Sequence, residues 1–370
     1  MGRVKQRWLP ALLVPLVLIA GILVGSIQAG AAPSLPPKTA QDLMVMIANS
    51  NVRSLSGTVS QEANLGLPDL SGTGGGPGTG SPLEFLTGTH TARVYLDAPG
   101  KARIQILDQL AERDVVVNAS DAWYYNSTDN SVVHAALPPR PGAGSMPSEI
   151  PRPLAATPEA LATRFLAAID STTDVTVGQS ATVAGRSAYS LTLTPRSEGT
   201  LVESVSLSVD AETGLPLGVT VRAKGQAEPA YSLAYTDLNL ATPDASLFTF
   251  TLPAGASVTE KAFPAKPALP VPAVPAPQEA VPAPGADPAN PSPHARPAVT
   301  GKGWDAIATL PAGSAPAELT SNPQLSQLLQ PVSGGRALTT SLASVLILDD
   351  GRVLAGMVPL DRLESAAAAG

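Results

Sequence analysis

Residues 203–223, ESVSLSVDAETGLPLGVTVRA, place two alternating runs on either side of a compact turn. Successive strand side chains point to opposite sides, so Val205, Leu207 and Val209 share one face while Ser204, Ser206 and Ser208 share the other. Leu217, Val219 and Val221 repeat the pattern against Gly218, Thr220 and Arg222. Between the runs, Gly214 can take a positive φ, and Pro216 opens the return strand, where a missing N–H is tolerated. This predicts a β-hairpin with one apolar and one wet face. Asp210 and Glu212 could form an acid/base pair, but their place in the turn assigns them a conformational job facing water. A lone hairpin is marginal in water, so the chain must supply further strands.

Those strands are readable. Leu55, Gly57, Val59, Ala63 and Leu65 fall in phase along 55–67, a long strand interrupted by Gln61. Runs at 89–96, 101–107, 113–118, 122–126 and 131–136 are separated by short polar turns, and further strands are expected at 174–183, 187–195, 231–238 and 248–252. Regular short strands of this kind predict an antiparallel sheet or barrel, not βαβ units. Two helices interrupt the pattern. Thr39 and Asp42 resemble a capping box for 39–49, with Leu43, Met46 and Ile47 at helical spacing. Thr157, Pro158 and Glu159 read as an N-cap, a first-turn proline and an acidic first turn for a helix through Ile169, carrying Leu161 and Phe165. The Gly-rich stretch 69–82 is read as a loop; no GK[ST] follows that would make it a phosphate cradle.

The chain is not all core. With 38 Pro and 32 Gly among 370 residues and only 4% aromatic residues, part of it must be linker. The stretch 263–300, mainly Pro and Ala, is that spacer. Beyond it, 301–370 reads as a small module: Gly303-Trp304, a helix over 323–329, a hairpin over 344–358 whose Asp350-Gly351 suits a type I′ turn, and a final helix from Pro359. Seventy residues with few large apolar groups make a marginal fold, which predicts that the module docks on something. At the other end, Arg3, Lys5 and Arg7 precede an apolar run and Ala29-Gly30-Ala31, so 1–31 is read as an export signal or a membrane anchor that leaves the rest of the chain outside the cytoplasm.

A net charge of −7 argues against nucleic acid. With no cysteine, thiol catalysis and thiolate metal sites are excluded. His90, His134 and His294 are scattered, with no metal-ligand spacing, and no GxSxG elbow occurs. No catalytic residue, metal or cofactor is expected, and the chain is read as a non-enzymatic monomer.

The order of elements carries a resemblance. A signal, a short helix, a first strand beginning LSGTVSQ, a meander, VDAETGLPLGVTV, and a closing TPDASLFTFTLPAGASV with Phe248, Phe250, Pro253 and Gly255 together resemble the outer-membrane lipoprotein carrier superfamily, LolA-like and related to the RseB/MucB envelope-stress sensors. The resemblance covers roughly 33–260. It implies a mainly β, α+β fold: an incomplete, curved antiparallel barrel whose short helices plug an apolar cavity for acyl chains, here with a small α/β C-terminal module added. The inward aliphatics are expected to underfill such a sheet. The cavity residues expected on this basis are Leu55, Val59, Val94, Leu96, Ile104, Ile106, Val116, Trp123, Tyr125, Leu191, Leu207, Val209 and Val219. Leu43, Met46, Ile47, Leu161, Phe165 and Ile169 are the expected lid, with permanent core packing as the alternative. The function implied is extracytoplasmic binding of lipid or lipoprotein acyl chains. The alternative is a membrane-tethered sensor whose partner is a membrane regulatory protein.

Overall fold

A computed structural model of the chain describes residues 33–68, 85–107, 111–137, 157–262, 298–314 and 326–369. Helix α1 (Ala40–Ala48) precedes strands β1 (Ser54–Asn64), β2 (Thr87–Asp97), β3 (Lys101–Leu107), β4 (Glu112–Val117), β5 (Asp121–Asn126) and β6 (Ser131–Ala136). Helix α2 (Pro158–Ala167) follows, then β7 (Thr173–Val177), β8 (Ala181–Val183), β9 (Arg186–Pro195), β10 (Val202–Asp210), β11 (Pro216–Ala223), β12 (Tyr231–Asn239) and β13 (Ser257–Ala262). All thirteen strands form one sheet, in the order β13-β6-β5-β4-β3-β2-β1-β12-β11-β10-β9-β7 with β8 also on β9. Its two ends do not pair with each other. The result is a curved, unclosed barrel, mainly β, with α1 and α2 on its inner face.

The alternation read from the sequence becomes the register. Val205 stands opposite Leu193 and Val221, and Leu207 opposite Leu191 and Val219, so β9, β10 and β11 turn one aliphatic face inward. Strand β1 joins this half to the meander, pairing with β12 on one side and β2 on the other. The inner face holds two apolar clusters. One joins Leu55, Val59, Val94, Ile104, Ile106, Val115 and Leu233; the other joins Leu191, Leu193, Val205, Leu207, Val219 and Val221 to the helices. Full burial of each such side chain contributes about 1.5–3 kcal/mol.

Both helices are held by packing as well as by caps. In α1 the Thr39 and Asp42 side chains satisfy each other's backbone N–H groups, and Leu43 is fully buried against the second cluster. Gly214, at φ +72, fits its turn beneath this helix because any Cβ there would collide with the Met46 carbonyl. Thr157 caps α2, which lies across β11 and β12 and ends at Ala167, two residues before the expected end.

Three expectations for the large sheet are corrected. Residues 248–252 are not a strand: a 3₁₀ turn at Ala245–Phe248 leads into an irregular strap, and the closing strand is β13, which pairs parallel to β6. The predicted strand 174–183 is broken after Val177 into β7 and β8, whose registers on β9 differ by one residue: Val177 stands opposite Leu191 but Ala181 opposite Ala188. Asp210 does not face water. It is 1% exposed, since Arg186, distant in sequence, folds over it and donates from its guanidinium at 2.7 and 2.9 Å.

The C-terminal module is a six-stranded sheet, β14 (Ala298–Thr300), β15 (Ile307–Leu310), β16 (Gln330–Val332), β17 (Gly335–Thr339), β18 (Ser344–Leu348) and β19 (Val353–Gly356), with α3 (Leu360–Ala369) across β18 and β19. The spacer expected at 263–300 lies outside the described residues except for its last three, which form β14. Asp350-Gly351 does not make a type I′ turn: only Gly351 has positive φ, and the Leu348 amide bonds to the Arg352 carbonyl across a three-residue loop. The helix expected at 323–329 lies partly outside the described residues; 326–329 forms a turn into β16. Among the described residues no helix is long and apolar enough to cross a membrane. The expected signal or anchor and His294 lie outside them.

Candidate functional site

The inner face narrows to a cavity of about 40 Å³ between β1, β2, β3 and β12. Its walls are Val59, Ala92, Val94, Ile104, Ile106 and Leu233, while Gln61, His90, Thr91 and Thr157 supply polar groups and Phe85 completes the lining. The polar groups are held in place. Gln61 donates to the Phe85 carbonyl at 2.6 Å, and the His90 ring bonds the Thr87 carbonyl through Nε2 at 3.0 Å. Arg113, also buried, lies 5.0 Å from the Phe85 ring centre. Ligand pockets usually measure roughly 300–1,000 Å³, so this cavity as it stands is too small to hold an acyl chain.

Of the expected cavity residues, Val59, Val94, Ile104 and Ile106 line this cavity. Leu55 is buried in the same cluster and Leu96 packs against it. Leu191, Leu207, Val209 and Val219 also face inward, but they lie under the helices in the second cluster. Val116, Trp123 and Tyr125 point the other way. Val116 sits opposite Arg103 and Trp123, one residue out of phase with the inward Val115 and Val117. On this outer face Trp123 stacks between His134, at 3.8 Å, and Phe250, at 5.0 Å, and Tyr125 meets Phe250 at 6.5 Å. Arg103 donates to the Leu247 carbonyl. The 245–256 strap thus covers Trp123 and Tyr125 on an outer face that a two-residue period cannot tell from the inner one.

The expected lid residues gather on the second cluster: Leu43 fully buried, with Met46, Ile47, Phe165 and Ile169 partly buried around it. Leu161 touches both clusters. Beside it the Tyr235 hydroxyl donates to Glu159 Oε1 at 2.9 Å, while Glu159 Oε2 is buried with no hydrogen-bond partner among the described residues. Burial raises the Glu159 carboxyl above its ordinary range, against the opposing bonds from Thr157 and Tyr235. Burial, then the Glu159 charge, keeps the Tyr235 phenol protonated; burial alone pushes Tyr231 up to about 12. Sequence reasoning took Glu159 as an acidic first-turn residue, and its only further signal is the first-turn position itself. Among the described residues no group of His, Asp and Glu could hold a metal ion.

The fold is similar to those of several solved structures. Solved structures that match include a chain of the Pseudomonas aeruginosa MucA/MucB complex, 18% identical with a TM-score of 0.44 over 89% of this chain and 96% of that one. A LolA-superfamily protein from Nitrosomonas europaea matches at 12% identity and a TM-score of 0.23, over 58% of this chain and 99% of that one. A lipoprotein-sorting protein domain from Vibrio parahaemolyticus, described as an outer-membrane one, matches at 11% identity and 0.22, over 54% and 91%. No family model and no curated protein matches the chain. At these scores the likeness is one of fold.

Proposed function

We propose that this chain acts outside the cytoplasm as a non-enzymatic binder of lipid or lipoprotein acyl chains, held on the inner face of the large sheet. The supporting observation is the cavity itself: aliphatic walls from four strands, polar groups beside them at Gln61, His90, Thr91 and Thr157, and a helix end at Thr157. An amphiphile places its chain along such walls and its head at the polar groups. Because the empty cavity is only about 40 Å³, the chain enters by displacing Phe85 and the α2 side chains. Each methylene then contributes about 0.8 kcal/mol against the contacts it replaces. The basic, apolar segment at 1–31 supports an extracytoplasmic location.

Native mass spectrometry of the gently purified chain, followed by titration with parinaric acid, a fluorescent polyene fatty acid, tests this reading. Co-purified lipid and saturable binding that Ile104→Trp abolishes are expected. Lipid-free protein that also ignores parinaric acid would remove the reading. Stoichiometric capture of a protein partner without lipid would favour the sensor alternative.

A further inference from the structure

Trp304 belongs by sequence to the C-terminal module, yet it is buried in the second cluster of the large sheet. Its indole Nε1 donates to Thr173 Oγ1 at 2.9 Å, and its ring stacks on Phe165 with centres 6.4 Å apart and planes at 18°. The residue before it, Gly303, has φ +55, and a Cβ there would collide with the Thr172 hydroxyl. The residue after it, Asp305, accepts from the Ser197 hydroxyl. The 3₁₀ turn at Gly303–Asp305 is therefore inserted between the end of α2, the start of β7 and the turn after β9. The module grips the sheet rim at two more places. Thr200 Oγ1 and the Leu201 amide both donate to the Met357 carbonyl, at 2.7 and 2.8 Å, and the Ser341 amide donates to the Leu65 carbonyl at 3.0 Å. Leu342 packs beside both of these regions.

Helix α2 lies between the wedge and the cavity. Its N-cap, Thr157, lines the cavity, Leu161 and Ala162 cover the sheet, and Phe165 meets Trp304. At ten residues it is too short to be stable alone, so its position is set by what it packs against. We propose that the C-terminal module is a latch on α2: Trp304 against Phe165 holds the helix down on the inner face, so that release of the module and opening of that face are one event. The regulatory consequence rests on the reading of the inner face as a ligand surface. A ligand that displaces α2 then weakens module docking, and undocking favours the ligand by the same factor.

The test uses the full chain, whose lack of native cysteines leaves an engineered pair as its only thiols. The hydrogen-bonded contact of Ser197 and Asp305 brings Ser197→Cys and Asp305→Cys near disulfide range. Hydrogen exchange of the α2 amides is compared between the oxidised and reduced forms of this variant, and between wild type and Trp304→Ala. At least tenfold slower α2 exchange in the oxidised form is expected, together with at least tenfold faster exchange in Trp304→Ala and unchanged β1–β6 amides. If Trp304→Ala does not fold, the two redox forms decide alone. Equal α2 exchange in both forms overturns the latch, whatever parinaric acid does. An α2 response in protein that binds no parinaric acid keeps the latch and removes the acyl-chain reading.

Discussion

Replacing Asp210 probes the hairpin on which the sheet is built. Its carboxylate accepts four hydrogen bonds: from Arg186 at 2.7 and 2.9 Å, and from the Thr213 amide and hydroxyl at 2.9 and 2.6 Å. Asp210→Asn can keep three of these by turning its NH₂ toward Arg186 Nε. It then loses the ion pair and one charge-assisted bond, a cost of roughly 1.5–3 kcal/mol. Asp210→Ala leaves Arg186 Nε and the Thr213 groups without their acceptor, while Arg186 Nη2 keeps Glu212 at 2.8 Å, and costs about 3–4 kcal/mol, toward the low end for breaking a buried pair. A domain of this size loses roughly 2–4 °C of Tm per kcal/mol, so the two variants separate by several degrees in a thermal melt. Burial disfavours the charged carboxyl, but Arg186 and then Thr213 outweigh it and hold its pKa below the ordinary value. A depressed carboxyl contributes stability above its unfolded pKa, near 3.9, and loses it as pH falls through the folded one, so the gap between wild type and Asp210→Asn should close below about pH 4. If both variants cost under about 1 kcal/mol, the carboxylate behaves as an exposed pair and the burial argument fails.

Gly214→Ala should lower Tm and speed amide exchange in α1, because the new methyl meets the Met46 carbonyl as well as a strained φ; unchanged α1 exchange would show that the turn and helix are independent. His134 bonds Asp121 at 2.9 Å and Glu260 at 2.7 Å, and although burial opposes its charge, these two carboxylates raise its pKa. That stabilisation is full below the unfolded value near 6.5 and is lost as pH rises through the folded one, so the protection of β13 amides, taken relative to their base-catalysed intrinsic exchange rate, should fall above neutral pH. His134→Gln should flatten the dependence, and a slope that survives it assigns the effect elsewhere. For Glu159, whose folded pKa is raised mainly by burial, stability should fall as pH rises from its unfolded value to its folded one. Glu159→Gln should remove that fall in pH-dependent melts; an identical profile would place the carboxyl in water.

What the sequence showed best was local. The Val205/Leu207/Val209 and Leu217/Val219/Val221 alternations, with Gly214 between them, specify a hairpin because its two strands are joined by the turn itself. Thr39 and Thr157 marked helix starts for the same reason. Alternation says which residues share a face but not which face is inner, and that is why Val116, Trp123 and Tyr125 appeared as cavity residues: the strap that covers them arrives more than a hundred residues later, with Phe250. Strand β13 escaped notice because SVTEKA is largely exposed and pairs with the distant β6. The burial of Asp210 and the Glu159–Tyr235 contact likewise depend on partners brought together only by the fold.

The rim contacts of the C-terminal module have a consequence for how its sequence can drift. The amides of Leu201 and Ser341 and the carbonyls of Met357 and Leu65 are main-chain groups, so most replacements at these four positions leave those bonds in place. Evolution can rewrite this seam without undoing it, and a comparison of relatives would find few matching letters along it. A substitution scan would pass over those four positions in near silence, register at Thr200, whose hydroxyl also holds the Met357 carbonyl, and register sharply at Trp304, where recognition resides in a side chain.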